Sequence, residues 1–160
     1  MRRVLLTYAL FLLPVLLCAQ DFTSLFLEEN KEDSTLVRIT ISPHMMERIL
    51  KSDTEKNEDI LEIISNLKSM QILSSKANGE SYFLKAQKVI DDHSKRFSPY
   101  LSYENENENC RIVVRKRGRS IVELIMLMVD EDHFAVINVT GKIKPEFIST
   151  LTKSITRKHS

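Results

Sequence analysis

The sequence predicts an α+β fold: two layers, with a mainly antiparallel sheet of about five strands and helices covering one face. Three observations predict it. Residues 111–143 read as three consecutive strands joined by two short turns, a meander that needs a layer over its apolar side. Strand-like alternation also occurs far upstream, at residues 36–41. Amphipathic stretches of helical period separate and follow these strands. A length of 160 residues suits one such domain with a single core.

The chain opens on a segment that the fold does not need. Arg2 and Arg3 precede an apolar run over residues 4–17, with Pro14 near its end, which is the pattern of an export signal rather than of a spanning helix. Cleavage after Ala19 is the favoured processing, making residues 1–19 a signal peptide. A lipid anchor through Cys18 is the alternative. Losing Arg2 and Arg3 takes the formal charge from +1 to −1. A nearly neutral chain has no global drive toward nucleic acid or an anionic membrane, and no nucleic-acid partner is expected. Cys110 then remains alone, so no internal disulfide forms. It reads as a half-buried strand residue, without a base to make it a nucleophile.

Residues 20–35 are polar, with Phe22, Leu25 and Phe26 as clustered anchors, and read as a flexible N-terminal arm. The single domain then spans residues 36–156. A β-branched strand is expected at 36–42. Ser42-Pro43 supplies an N-cap and a first-turn proline for helix over 43–67, with Met45, Met46, Ile49 and Leu50 and then Ile60, Ile63, Ile64 and Leu67 inward. A short strand follows at 70–74, and a helix at 81–97 that turns Tyr82, Phe83, Ala86, Val89 and Ile90 to the core. Residues 100–103 are a candidate for a further strand, outside the five.

The meander supplies strands at 110–117, 120–129 and 133–140. Gly118 makes the first turn, because glycine adopts positive φ without steric cost. Asp130, Glu131 and Asp132 make the second, and Gly141 ends the third strand. Residues 120–129 are apolar on both faces except at Glu123, which suits a central strand covered on both sides. A last helix, at 145–155, carries Phe147, Ile148, Leu151 and Ile155 as its stripe. The order β-α-β-α-β-β-β-α is an elaboration of the ferredoxin-like type, by analogy.

The catalytic motifs are absent. There is no G-x-S-x-G, H-E-x-x-H, P-loop or dinucleotide fingerprint, and three glycines give a phosphate-cradling loop little material. No catalytic residue, metal ligand or cofactor is assigned. Asp91, Asp92 and His93 are adjacent on a helix, so they diverge by about 100° per residue rather than converging on a metal. The candidate binding residues are Arg111, Arg115, Lys116, Arg117, Arg119 and Glu123. The five cations form the one local concentration of charge, suited to an anionic partner unless the Glu/Asn run at 104–109 neutralises it across neighbouring strands. Glu123 is expected on the outer sheet face, paired with Arg115 or Arg117 across the first hairpin. The alternative is a buried carboxylate with shifted protonation and catalytic use.

Three stretches carry a resemblance: residues 39–42 leading into a Met-containing helix, the strand SIVELIMLMV at 120–129, and VINVTGKI at 136–143. Together they resemble the family called domain of unknown function 4252. The resemblance implies a small exported protein of Bacteroidota, secreted or lipid-anchored at the cell envelope, with a common α+β domain and no assigned activity. The expected function is an exported, non-enzymatic binding or interaction module of the envelope, its partner an envelope protein or an anionic or lipid ligand. The alternatives are a carrier of an apolar or lipid ligand, motivated by the Met- and Ile-rich interior, and an enzyme using Glu123.

Overall fold

The structure is a computed structural model that describes residues 20–31, 35–52 and 58–156. The export-signal reading of residues 1–19 lies outside them, as do the side chains of Ile49, Leu50, Ile60 and Ile155. Among the described residues, the fold is α+β with six strands and five helices. In chain order these are α1 (Phe22–Glu29), β1 (Val37–Ile41), α2 (Pro43–Ser52), α3 (Glu58–Ser65), β2 (Leu67–Ser75), α4 (Gly79–Asp92), β3 (Phe97–Glu104), β4 (Glu108–Arg117), β5 (Ser120–Asp130), β6 (His133–Ile143) and α5 (Pro145–Thr156).

The strands form one sheet in the order β1-β2-β6-β5-β4-β3, and every neighbouring pair is antiparallel. β2 and β3 therefore run the same way, with the meander inserted between them and α4 making the crossover. The ferredoxin-like analogy reduces to this split unit. The sixth strand is β3, in the region read as one short candidate strand. Pro99 has no amide hydrogen to donate to a ladder, and the edge position tolerates it. The helix expected to run to residue 97 stops at Asp92, and Phe97 opens β3 instead.

Helices cover both faces of the sheet, where the sequence predicted one. Tyr82, Phe83, Ala86, Val89 and Ile90 of α4 pack with Phe22 and Phe26 of α1 on Leu73, Val113, Ile125, Leu127 and Val136. Met46, Ile64 and Ile148, from α2, α3 and α5, pack with Ile112, Val114, Leu124, Met126 and Val139. Ile125 and Leu127 alternate with Leu124 and Met126 along β5, so the two clusters lie on opposite sides. Met46 and Met126 are core residues, whereas Met45 is exposed.

The stretch read as an arm folds as α1. Asp21 caps it, its Oδ1 accepting the amide of Ser24 at 2.8 Å. Phe22 and Phe26, one helical turn apart, are fully buried and stack at 5.7 Å between ring centroids. Burying each contributes roughly 1.5–3 kcal/mol. An eight-residue helix is marginal alone, so this packing holds it.

A cation-lined cleft at the bulged end of the sheet

The candidate site is assembled where the strand ladders lose register. Three of the sheet's four register shifts converge at the end where β5 begins and β6 finishes. Leu67 faces Gly141 and Ser69 faces Thr140, so Lys68 is the extra residue of β2. Arg115 faces Glu123 and Lys116 faces Ile121, so Val122 is extra in the β4–β5 ladder. Ile121 faces Ile143 while Glu123 faces Thr140, which leaves Val122 opposite both Gly141 and Lys142. Bulges of this kind bend a strand and re-aim its side chains.

These displaced residues line one cleft of about 480 Å³. Its walls are Asp21, Lys68, Arg115, Arg117, Val122, Thr140, Gly141 and Lys142. Gly141 makes the construction possible. Its φ is +134°, and a Cβ there would sit 2.7 Å from Asn66 O, Leu67 Cα and Lys68 N. The strand does not end at this glycine, as expected from sequence, but bulges through it to Ile143. The amide of Lys142 donates to Asn66 O at 2.9 Å, fixing the backbone beside the bulge.

Behind the cleft wall stands a buried polar network. Glu123 is fully buried. Its Oε2 accepts from Arg115 Nε at 2.7 Å. Its Oε1 accepts from the amide of Phe22 at 2.7 Å and from Asn138 Nδ2 at 3.0 Å. Asn138 Oδ1 in turn accepts from the amide and hydroxyl of Thr23 at 3.2 and 2.9 Å. Of the two expected partners, Arg115 and Arg117, the structure pairs Glu123 with Arg115, but on a covered face rather than the expected outer one. The reason is α1, which covers that face and sets its positively polarised N-terminus on the carboxylate. Both carboxylate oxygens are engaged. Asp21 extends the network, its Oδ2 accepting from Gln71 Nε2 at 3.0 Å, while Gln71 Oε1 accepts from Arg38 Nη2 at 2.7 Å.

The six sequence candidates separate. Arg115 and Arg117 line the cleft, and Glu123 backs it. Lys116 and Arg119 are exposed on the hairpin and do not line it. Arg111 lies toward the opposite end of β4 and pairs with Asp91 of α4 at 3.1 Å. The Glu/Asn run does not neutralise the arginines of the hairpin: Glu104 pairs in register with Asn109, and Glu108 with Asp130, at the far end of the strands. Asp91, Asp92 and His93 point to separate partners, namely Arg111, Lys88 and the carbonyl of Val89. Burial, and secondarily Glu108, pushes the Cys110 thiol up to about 11.

Sequence reasoning missed Asp21, Lys68, Val122, Thr140 and Lys142. One signal for them existed. A glycine inside a strand pattern marks a bulge or a close backbone approach, and Gly141 is both. Lys68 was hidden by running the preceding helix to residue 67.

The family model described as Domain of unknown function (DUF4252) matches residues 28–151, and the chain belongs to that family. The matched stretch contains every cleft residue except Asp21. No curated protein matches the chain. Among the described residues, no helix is long and apolar enough to cross a membrane.

Proposed function

We propose that this chain is an exported, non-enzymatic binding module of the cell envelope that holds an anionic ligand in the cleft at the bulged end of its sheet. The observation that carries the reading is the convergence of three register shifts on one cavity, which gathers Lys68, Arg115, Arg117 and Lys142 from three different strands. Distortions that cost ladder hydrogen bonds and concentrate like charge favour a ligand over the empty fold. The state of Glu123 supports binding over turnover. A general base needs a free oxygen within reach of a substrate proton, and this carboxylate already accepts three hydrogen bonds. Export rests on the basic and apolar pattern of residues 1–19.

Titration of ¹⁵N-labelled protein with sodium sulfate tests the reading. Amide shifts should concentrate at residues 67–69, 115–117, 121–123 and 140–142, and should vanish in Lys68→Gln/Lys142→Gln. Shifts scattered over the surface, or unchanged in the double variant, would overturn it. The intact mass of protein taken from its own envelope decides the processing: a chain beginning at Gln20 fits ordinary cleavage, and a lipid-modified Cys18 fits anchoring.

A further inference from the structure

Resting on the anion-binding reading, the charge inventory of the cleft narrows its ligand to one class. Four cations line it, with Asp21 as the one carboxylate on its wall, and Glu123 pairs with Arg115 from behind. The formal balance is four positive charges against two negative, or +2. The surplus is available to a ligand. Among the described residues, the side chains of Lys68, Arg117 and Lys142 make no ion pair. Asp21 forms no ion pair with them, its two oxygens accepting from the neutral Ser24 amide and Gln71 Nε2, so it lowers the balance by its charge without tying up a cation. Arg115 is anchored through Nε alone, which fixes the guanidinium while leaving its other nitrogens as donors.

A monoanion leaves one positive charge over in this enclosure, whereas a compact dianion closes the balance. We infer that the cleft takes a phosphate monoester group. Its charge of nearly −2 sits on three terminal oxygens, enough to meet donors arriving from several strands at once. Thr140 adds a hydroxyl to the wall, already paired with Ser69 Oγ at 2.9 Å. A phosphate group alone does not fill about 480 Å³, so the space beside Val122 is left for the first atoms of whatever carries it. That carrier is either a small soluble phosphate ester or the phosphomonoester headgroup of a lipid.

The test compares methyl phosphate with methyl sulfate, which has the same shape but a single charge, and with succinate, which spreads two charges over a longer span. In calorimetric titrations at pH 7.5, methyl phosphate should bind on the order of tenfold or more tightly than either, the difference expected for one charge-assisted contact. Its advantage over methyl sulfate should shrink at pH 5.5, below the second phosphate ionisation near 6. Lys68→Gln/Lys142→Gln should weaken methyl phosphate by roughly a hundredfold. Lys88→Gln removes a charge remote from the cleft and should change nothing. Silence from all three probes would remove both the phosphate assignment and the binding reading. Equal binding of methyl sulfate or succinate would remove the phosphate assignment alone. Two further outcomes each support it and separate the carriers: co-sedimentation with phosphatidylcholine vesicles only when they contain phosphatidic acid, and binding of methyl phosphate without any vesicle binding.

Discussion

Glu123 Oε1 accepts the amide hydrogen of Phe22, 101 residues earlier in the chain, at 2.7 Å. This bond makes α1 part of the domain. It joins the N-terminus of α1 to the central strand β5, and the same carboxylate holds Arg115 at the cleft wall.

Removing that charge is expected to be costly. Glu123→Gln keeps the shape, but its NH₂ must face a donor, either the Phe22 amide or Arg115 Nε. Arg115 would also lose its partner while only 18% exposed. A loss of about 3 kcal/mol is expected in urea denaturation at pH 7, at the low end for breaking a buried pair because Arg115 retains some solvent.

Phe26→Ala tests α1 by its packing rather than its charge. The ring is fully buried, against Phe22 at 5.7 Å and Phe134 at 5.9 Å. The expected loss is roughly 3–5 kcal/mol. Limited proteolysis should show new cleavage within residues 20–31 before any cut in the sheet.

Two glycines should respond differently to alanine. At Gly118, φ is +62° and the surroundings are open, so the substitution meets backbone strain alone, about 1–2 kcal/mol. At Gly141 the added Cβ also meets three backbone atoms at 2.7 Å. Gly141→Ala should cost more than about 3 kcal/mol and abolish the sulfate response of the cleft together with the stability. Thermal denaturation of both variants, with sulfate titration of the survivors, separates the two effects.

Cys110 gives a pH dependence. The folded thiol holds its proton to about 11, against an ordinary value of 9.0, because burial and then Glu108 disfavour the thiolate. An acid held more tightly in the folded state stabilises it below the ordinary value and loses that contribution as pH rises. Stability should therefore fall between pH 9 and 11, and less steeply in Cys110→Ser. At pH 8, alkylation by iodoacetamide should be far slower in the native protein than in urea.

The sheet was legible because its signals are local. Alternation, the Gly118 turn and the acidic turn at residues 130–132 placed β4, β5 and β6 nearly as they fold. The double-sided apolar pattern of 120–129 already required cover on both faces, and the second layer of helices supplies it. What escaped depends on distant partners. Phe22 and Phe26 look like stray anchors in a polar stretch until Val113 and Ile125 are known to lie beneath them. The sequence offers Arg115 or Arg117 as the partner of Glu123, since all three sit on one hairpin, and the structure pairs it with Arg115. Its burial stands only as the alternative in the sequence, because the amide that covers it comes from the other end of the chain. The cleft escaped because a register shift belongs to two strands together, and Lys68 and Lys142 lie on strands joined through half the sequence.

The bond between Phe22 and Glu123 also has a consequence in time. A chain made or delivered from its N-terminus presents α1 before the groups that receive it, Glu123 and Asn138, which arrive more than a hundred residues later. Contacts this remote in sequence form late, after loop closure has been met by the ladders between. α1 thus emerges long before it can be seated. Until then Phe22 and Phe26 stay in water, a short apolar segment that a chaperone can hold or a protease can cut.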